Sequence, residues 1–241
     1  MKTVWIIEAI TNLHVGNEGA SSLSVVDKEI QKDVLTKIPC INASSLKGAM
    51  NEFATEELGM YWEKRKEIFG ADKKRNANKE TQKGKYSFFD AQLLAIPVQD
   101  DTHLYKLKTS EEQLLQFVAL LNAVGVDKSS ETLKAELKKM YGPYFDDDSV
   151  VSSAEFKEIC ANDELPIIAR NCLETGRENL WYEQVLPRKS VLGTIVISKD
   201  QAGEDLIAQN FCDKVVQIGA NATIGYGYCR FKKIWSDENE K

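Results

Sequence analysis

Two passages of strand–helix–strand, one near each end of the chain, constrain its fold more than any other feature. Val4 to Ile10 (VWIIEAI) is short, apolar and rich in branched side chains, so it reads as a buried strand. A polar stretch from Asn12 to Lys37 follows, with Val25, Val26 and Ile30 as its apolar anchors. Ser44 or Ser45 then opens a helix in which Leu46, Ala49, Met50, Phe53 and Leu58 keep a 3.6-residue period up to Gly59. Tyr86 to Val98 returns as strand, with Pro97 marking an edge or an end. The second passage is the strand Ser190 to Ser198, a helix from about Gly203 to Val216, and an alternating strand from Tyr226 to Trp235.

The middle of the chain is helical. Ser110 with Gln113 forms a capping pair before LLQFVALLNAV, which Gly125 ends; Ser129 or Ser130 opens a second helix that stops at Gly142-Pro143. Ser152 with Glu155 opens a short third one. Asp146, Asp147 and Asp148 lie between the last two, and without calcium-loop spacing they read as an exposed loop or helix entry. Leu165 to Asn171 and Leu180 to Leu186 flank a polar turn, Glu174 to Asn179, which predicts a long hairpin. With these insertions set aside, the remainder is the split βαβ pattern of an α+β, ferredoxin-like fold, the architecture RNA-recognition domains also use.

Charge narrows the function. Thirty-one basic against 37 acidic residues give a net charge of −6, a poor match to a free-standing nucleic-acid binder. The deficit is uneven. Lys64 to Lys85 holds nine basic and three acidic residues, a local excess that attracts phosphate or simply solvates a loop. Five scattered cysteines without a CxxC pair argue against a disulfide framework and a thiolate zinc site, and they suit a reducing cytoplasm. Two histidines, His14 and His103, leave little for a histidine-based metal centre, and the N-terminal apolar run is too short for a leader or a membrane span.

Three motifs carry chemistry. Ser44-Ser45-Leu46-Lys47-Gly48 at a helix N-terminus offers open N–H groups, a favourable dipole and a cation, which together make an anion site. Gly219-Ala220-Asn221-Ala222-Thr223-Ile224-Gly225-Tyr226-Gly227 joins the last helix to the last strand, and its glycines permit a tight backbone suited to a phosphate or ribose, or serve as a structural turn. The stretch GYGYCRF imitates an RNA-recognition box but falls on the wrong strand, since only ten residues follow it. His14, in Leu13-His14-Val15-Gly16, reads as a base or, more commonly, as a hydrogen-bonded structural imidazole. Asp27, in VVDKEIQKD, says little alone.

Taken together these motifs resemble the RAMP superfamily of CRISPR-associated proteins, and within it the repeating backbone subunits of type III-B (Cmr) effector complexes. The resemblance rests on LHVG after the first strand, VVDKEIQKD, PCINASSLKGAM, Ile68 to Gly70, LLAIPV, Leu180-Trp181-Tyr182-Glu183-Gln184 with Pro187, and QIGANATIGYGY. It implies one domain over residues 1–241: a modified ferredoxin-like (RRM-like) palm at about 1–98 and 188–235, a helical insertion at about 109–162, and a β-hairpin thumb at about 165–187. It further implies head-to-tail copies along a guide RNA, other effector subunits as partners, no membrane, and cleavage of paired single-stranded target RNA at regular intervals.

By that resemblance Asp27 is the catalytic residue. His14, Ser44, Ser45, Lys47, Gly219, Asn221, Gly225 and Gly227 contact RNA, while Trp181, Tyr182 and Glu183 belong to the thumb. The expected reaction is attack of a 2′-OH on the adjacent phosphate, leaving 2′,3′-cyclic phosphate and 5′-OH ends, with Asp27 either positioning a divalent metal or accepting the hydroxyl proton. The expected cofactor is a divalent cation, Mg2+, held partly by RNA phosphate because one carboxylate is an incomplete ligand set. Ala43, Asn51, Ala220 and Tyr226 depart from the family pattern. A guide-binding module that does not cut, and a nuclease that trims precursor guide RNA, are the alternative readings.

Overall fold

Eight residues from Lys2 to Ala9 form β1, the strand on which the rest is built, and seven of its eight side chains are buried. A computed structural model of the chain describes residues 1–16, 26–72, 81–174, 177–199 and 201–236. After β1 come β2 (Cys40–Ile41), α1 (Ala43–Glu56), α2 (Trp62–Phe69), β3 (Ser87–Phe88), β4 (Ala91–Val98) and β5 (Lys106–Ser110). The middle holds α3 (Glu111–Ala123), α4 (Ser130–Tyr141), β6 (Val150–Val151) and α5 (Ser153–Ile159). The last third holds β7 (Ile167–Glu174), β8 (Arg177–Gln184), β9 (Val191–Ile197), α6 (Gln201–Phe211), β10 (Val215–Gln217) and β11 (Tyr228–Ser236).

Among the described residues the main sheet runs β10-β11-β1-β9-β4-β5-β6. Its centre, β11-β1-β9-β4, is antiparallel throughout. When those strands are numbered by their place in the two βαβ passages the order is 4-1-3-2, the ferredoxin-like arrangement. Alternation along β1 sends Trp5, Ile7 and Ala9 to one core with α1 and α6, and Val4 and Ile6 to a second core with α3 and α4. Both faces of the sheet are therefore covered.

The serine caps behave as their sequence dictates: Ser110, Ser129 and Ser152 each accept the N–H three residues on. The reciprocal half is absent at Ser110, because Gln113 turns its side chain to the Leu93 carbonyl at 2.7 Å. A two-way capping box occurs instead at Asp146 and Ser149, so the acidic run is a helical entry, tied further by Lys106 to Asp146 at 2.7 Å. Three expectations are corrected. The first helix starts at Ala43, with Asn42 in the cap position, so Ser44 and Ser45 lie inside the first turn. The basic strip, expected as a loop, begins with the last six residues of α2, whose Ile68 and Phe69 are buried, while Lys73, Lys74, Arg75 and Lys79 lie outside the described residues. The helix of the second passage ends at Phe211, and its expected last turn is β10, paired with β11.

Candidate nucleic-acid interface and cleavage site

β7 and β8 pair over their whole length as the expected hairpin, with Ala169 opposite Tyr182 and Arg170 opposite Trp181; the tip residues 175 and 176 lie outside the described residues. The segment carrying Asp27 lies along the hairpin. Asp27 and Lys28 both donate their backbone N–H to the Tyr182 carbonyl at 3.1 Å, and the Gln184 N–H returns to the Lys28 carbonyl at 2.9 Å. Asp27 Oδ2 accepts the Tyr182 N–H at 2.7 Å, while the residue itself is exposed. One carboxylate oxygen is thus a fixed anchor, and the other has no hydrogen-bond partner among the described residues.

Glu183 is the hub beneath this edge. Its carboxylate is 1% exposed and accepts from Lys28 Nζ at 2.9 Å, Trp181 Nε1 at 2.8 Å and Asn221 Nδ2 at 2.8 Å. Arg170 Nε lies 2.6 Å from Oε2, but its N–H is not aimed at the oxygen, so this is a charge contact rather than an aligned hydrogen bond. Burial, the largest influence, pushes the Glu183 carboxyl up; Trp181, Lys28 and Arg170 together outweigh it and hold the group at about 2. Two cations rest on aromatic faces here, Lys28 over Trp181 at 5.1 Å and Arg170 over Tyr226 at 4.9 Å. One buried carboxylate thereby joins the Asp27 segment, both hairpin strands and the glycine-rich loop.

Gln31 makes the second junction. Its N–H donates to the Val15 carbonyl at 2.8 Å, its Nε2 to Ser45 Oγ at 3.2 Å, and its Oε1 accepts the Asn42 N–H at 2.8 Å. This brings the start of α1 beside residues 13–16. At that helix start the Ala43 N–H is taken by Asp90 at 2.6 Å, whereas the Ser44 and Ser45 amides have no partner among the described residues. Two open amides one turn before Lys47 are the groups an anion site would use, and the Asp90 carboxylate beside them opposes an anion.

His14 does not sit where an RNA contact would need it. The ring is 3% exposed and its Nδ1 donates to the Gln184 carbonyl at 2.7 Å, so it braces the hairpin base as a structural imidazole. The glycines divide. Gly219 and Gly227 have φ of 83° and 80°, and a Cβ at either would run into the His14 or Ile218 carbonyl. They are required by protein packing. Gly225, at φ 83°, has open space where its Cβ would be, and Asn221 adopts the left-handed conformation. Tyr182 is exposed and Trp181 half-buried, so the two predicted thumb aromatics face different surroundings.

Lys28, Gln31, Arg170 and Gln184 are the residues that reading the sequence missed; all but Arg170 fall inside the VVDKEIQKD and LWYEQ stretches. The ligand set does not suit a protein-held metal: among the described residues no three His, Cys, Asp or Glu side chains converge, and the Glu183 carboxylate is saturated.

The chain is 27% identical over 221 residues to the CRISPR system CMR subunit Cmr4 of Saccharolobus solfataricus, covering 84% of this chain and 70% of that one. It is 24% identical over 275 residues to the CRISPR system Cmr endoribonuclease Cmr4 of Pyrococcus furiosus, covering 92% of each. A cryo-EM structure of the type III-B Cmr-beta bound to cognate target RNA contains a chain that superposes with a TM-score of 0.76 at 21% identity, covering 97% of both. The crystal structure of oligomeric Cmr4 from Pyrococcus furiosus gives 0.69 at 18% identity, covering 98% of this chain and 99% of that one. The RAMP superfamily model matches residues 6–230, nearly the full length from β1 to β11, and the chain belongs to the RAMP superfamily.

Proposed function

We propose that the chain is a backbone subunit of a type III-B (Cmr) RNA-guided effector, repeated along a guide RNA and cutting complementary single-stranded RNA at regular intervals. The observation that carries this reading is the joining of Asp27 to the hairpin through Tyr182. On this reading the segment that would react with RNA and the hairpin that would interrupt a duplex are hydrogen-bonded into one unit. Further copies of the chain and other effector subunits are its protein partners. No described helix is long and apolar enough to cross a membrane, and the four cysteines whose side chains are described are free thiols, which suits a cytoplasmic effector.

In the reaction, the target's 2′-oxygen attacks the adjacent phosphorus and the bond to O5′ breaks. The 2′-OH proton passes to the unpartnered oxygen of Asp27, and O5′ takes a proton from water. The products are a 2′,3′-cyclic phosphate and a 5′-OH. Lys28, next to Asp27 in sequence and half exposed, is paired with Glu183, and on this reading it would turn part of its charge to the phosphate as negative charge develops there. Any divalent cation would be held largely by RNA phosphate, since among the described residues no three carboxylate, His or Cys side chains assemble a site for it. The hairpin holds adjacent target nucleotides apart so that the attack can be in line.

Mapping cleavage products of a long complementary RNA tests the reading. Evenly spaced cuts, as numerous as the engaged subunits, are expected. A single cut would overturn it in favour of a stand-alone processing nuclease, and binding without any cut in favour of a guide-binding module.

A further inference from the structure

A second surface with nucleic-acid character lies at the same end of the sheet, away from Asp27. β1 and β4 are parallel to each other across β9, so the segments after Ala9 and after Val98 leave the sheet at one end. There a cavity of ≈ 710 Å³ opens between the β4–β5 turn, Tyr144 and the residues that follow the hairpin. That volume is within the range of about 300–1,000 Å³ usual for small-ligand sites.

Its walls are aromatic and basic. Tyr105 and Tyr144 stack with ring centroids 4.4 Å apart and planes within 6°. Leu104 stands on the lip, 90% exposed. Arg188 and Lys189 also line it, and no lining residue is acidic. In a chain of net charge −6 that is unusual: the cleft beside Phe53 and Tyr228 is rimmed by Glu52, Glu56 and Glu57. Lys189 is neutralised by Glu8 at 2.9 Å, whereas the Arg188 guanidinium has no partner among the described residues. The Tyr105 hydroxyl is pushed up, chiefly by burial with Tyr144 and Glu8 adding to it, while Lys189 and Arg188 pull it down, so both cations and the Glu8 carboxylate act on the ring.

The cleft is continuous with the glycine-rich loop through one residue. Asn12 accepts the Arg188 N–H on its side chain at 3.1 Å and the Gly227 N–H on its carbonyl at 2.8 Å.

We propose that this cleft receives one unpaired RNA nucleotide, its base against the tyrosine pair and Leu104 and its phosphate on Arg188. The chemistry is that of single-strand binding: an aromatic platform accepts any base, and a cation tracks the backbone. The proposal rests on the RNA-binding reading above, and it predicts weak base preference at that position.

The test uses the multimer assembled on guide RNA, with 5-iodouridine placed singly at successive positions of guide or target. Photocrosslinks are expected on the peptides carrying Tyr105 or Tyr144, at regularly repeating positions. Arg188→Ala, an exposed change, should lower the salt dependence of RNA binding by a slope of about 0.7 per subunit engaged. Tyr144→Ala should weaken binding about tenfold, with the melting temperature of each variant measured alongside. Should Tyr144→Ala unfold the protein, the crosslinks and Arg188→Ala decide alone. RNA bound normally by both variants, with crosslinks confined to residues near 27, 44–47 and 219–227, overturns the cleft and leaves the RNA reading standing. Loss of subunit association without RNA crosslinks in the cleft also overturns it, in favour of a protein contact. Failure of the wild-type chain to retain any RNA overturns the underlying reading itself.

Discussion

Asp27 Oδ2 accepts the backbone N–H of Tyr182 at 2.7 Å across 155 residues of sequence. The carboxylate assigned to cleavage is therefore fixed to the hairpin by one oxygen while the other remains available.

That split role separates two substitutions. Asp27→Asn retains an acceptor for the Tyr182 N–H and loses the base; Asp27→Ala loses both. Each should lower the cutting rate by about 10²–10⁴-fold with target binding retained, the usual contribution of a general base. Only Asp27→Ala should speed hydrogen exchange at Tyr182. Single-turnover cleavage assays and exchange mass spectrometry check this, and unchanged cutting in both variants removes Asp27 from the mechanism. Calorimetry of the RNA-free protein with Mg2+ should show no binding, even if chelation slows cutting in the complex.

Glu183 gives the fold a defined acid limit. Its carboxyl is held at about 2 in the folded chain against an ordinary 4.5, so it binds fewer protons folded than unfolded between those values. The resulting stability, about 3 kcal/mol, is fully present above pH ~4.5 and is lost as pH falls through the folded value. Glu183→Gln should abolish that part of the pH dependence and melt lower at pH 7, because Lys28 and Arg170 lose their counter-charge. Melting curves from pH 7 to pH 2.5 decide it; parallel pH profiles for the two proteins would contradict the hub assignment.

The glycines of the 219–227 loop should rank by what surrounds them. Gly219→Ala and Gly227→Ala place a Cβ against a backbone carbonyl and should cost several kcal/mol, visible as loss of soluble folded protein. Gly225→Ala meets open space and should cost about 1–2 kcal/mol for its left-handed backbone. Equal destabilisation by all three would refute the packing argument.

Lys47→Ala should weaken guide binding alike for all guide sequences and lower its salt slope, since open amides and an ammonium contact phosphate rather than bases. Affinities for two unrelated guides at three salt concentrations are sufficient. A loss seen with one guide only would rule this out.

The legible parts of the fold were those with local causes. Ser110, Ser129 and Ser152 announce helices because a cap acts within three residues. By contrast α2 carries Glu63, Lys64, Arg65, Lys66 and Glu67 in a row and buries only Ile68 and Phe69, so no apolar period reveals it. Val215 and Val216 continue the apolar spacing of α6 and pass for its last turn, although pairing with β11 makes them a strand. At the site, the resemblance flagged VVD and LWYE separately. Nothing in their spacing says that Lys28 meets Glu183, because a bridge between distant segments leaves no local signature.

The covering of the sheet on both faces has a mechanical meaning. In RNA-recognition domains the uncovered face is the reading platform, with aromatics stacking bases across it. Here α3 and α4 turn that face into interior, with Val4, Ile6 and Ile195 beneath them. The sheet is then a beam rather than a table, loaded at one tip where the hairpin base, the glycine-rich loop and the tyrosine cleft meet. A beam passes load along its length without registering what the load is made of. Exchanging residues within either core should change how stiff each link in a chain of subunits is, and leave untouched which RNA the chain accepts.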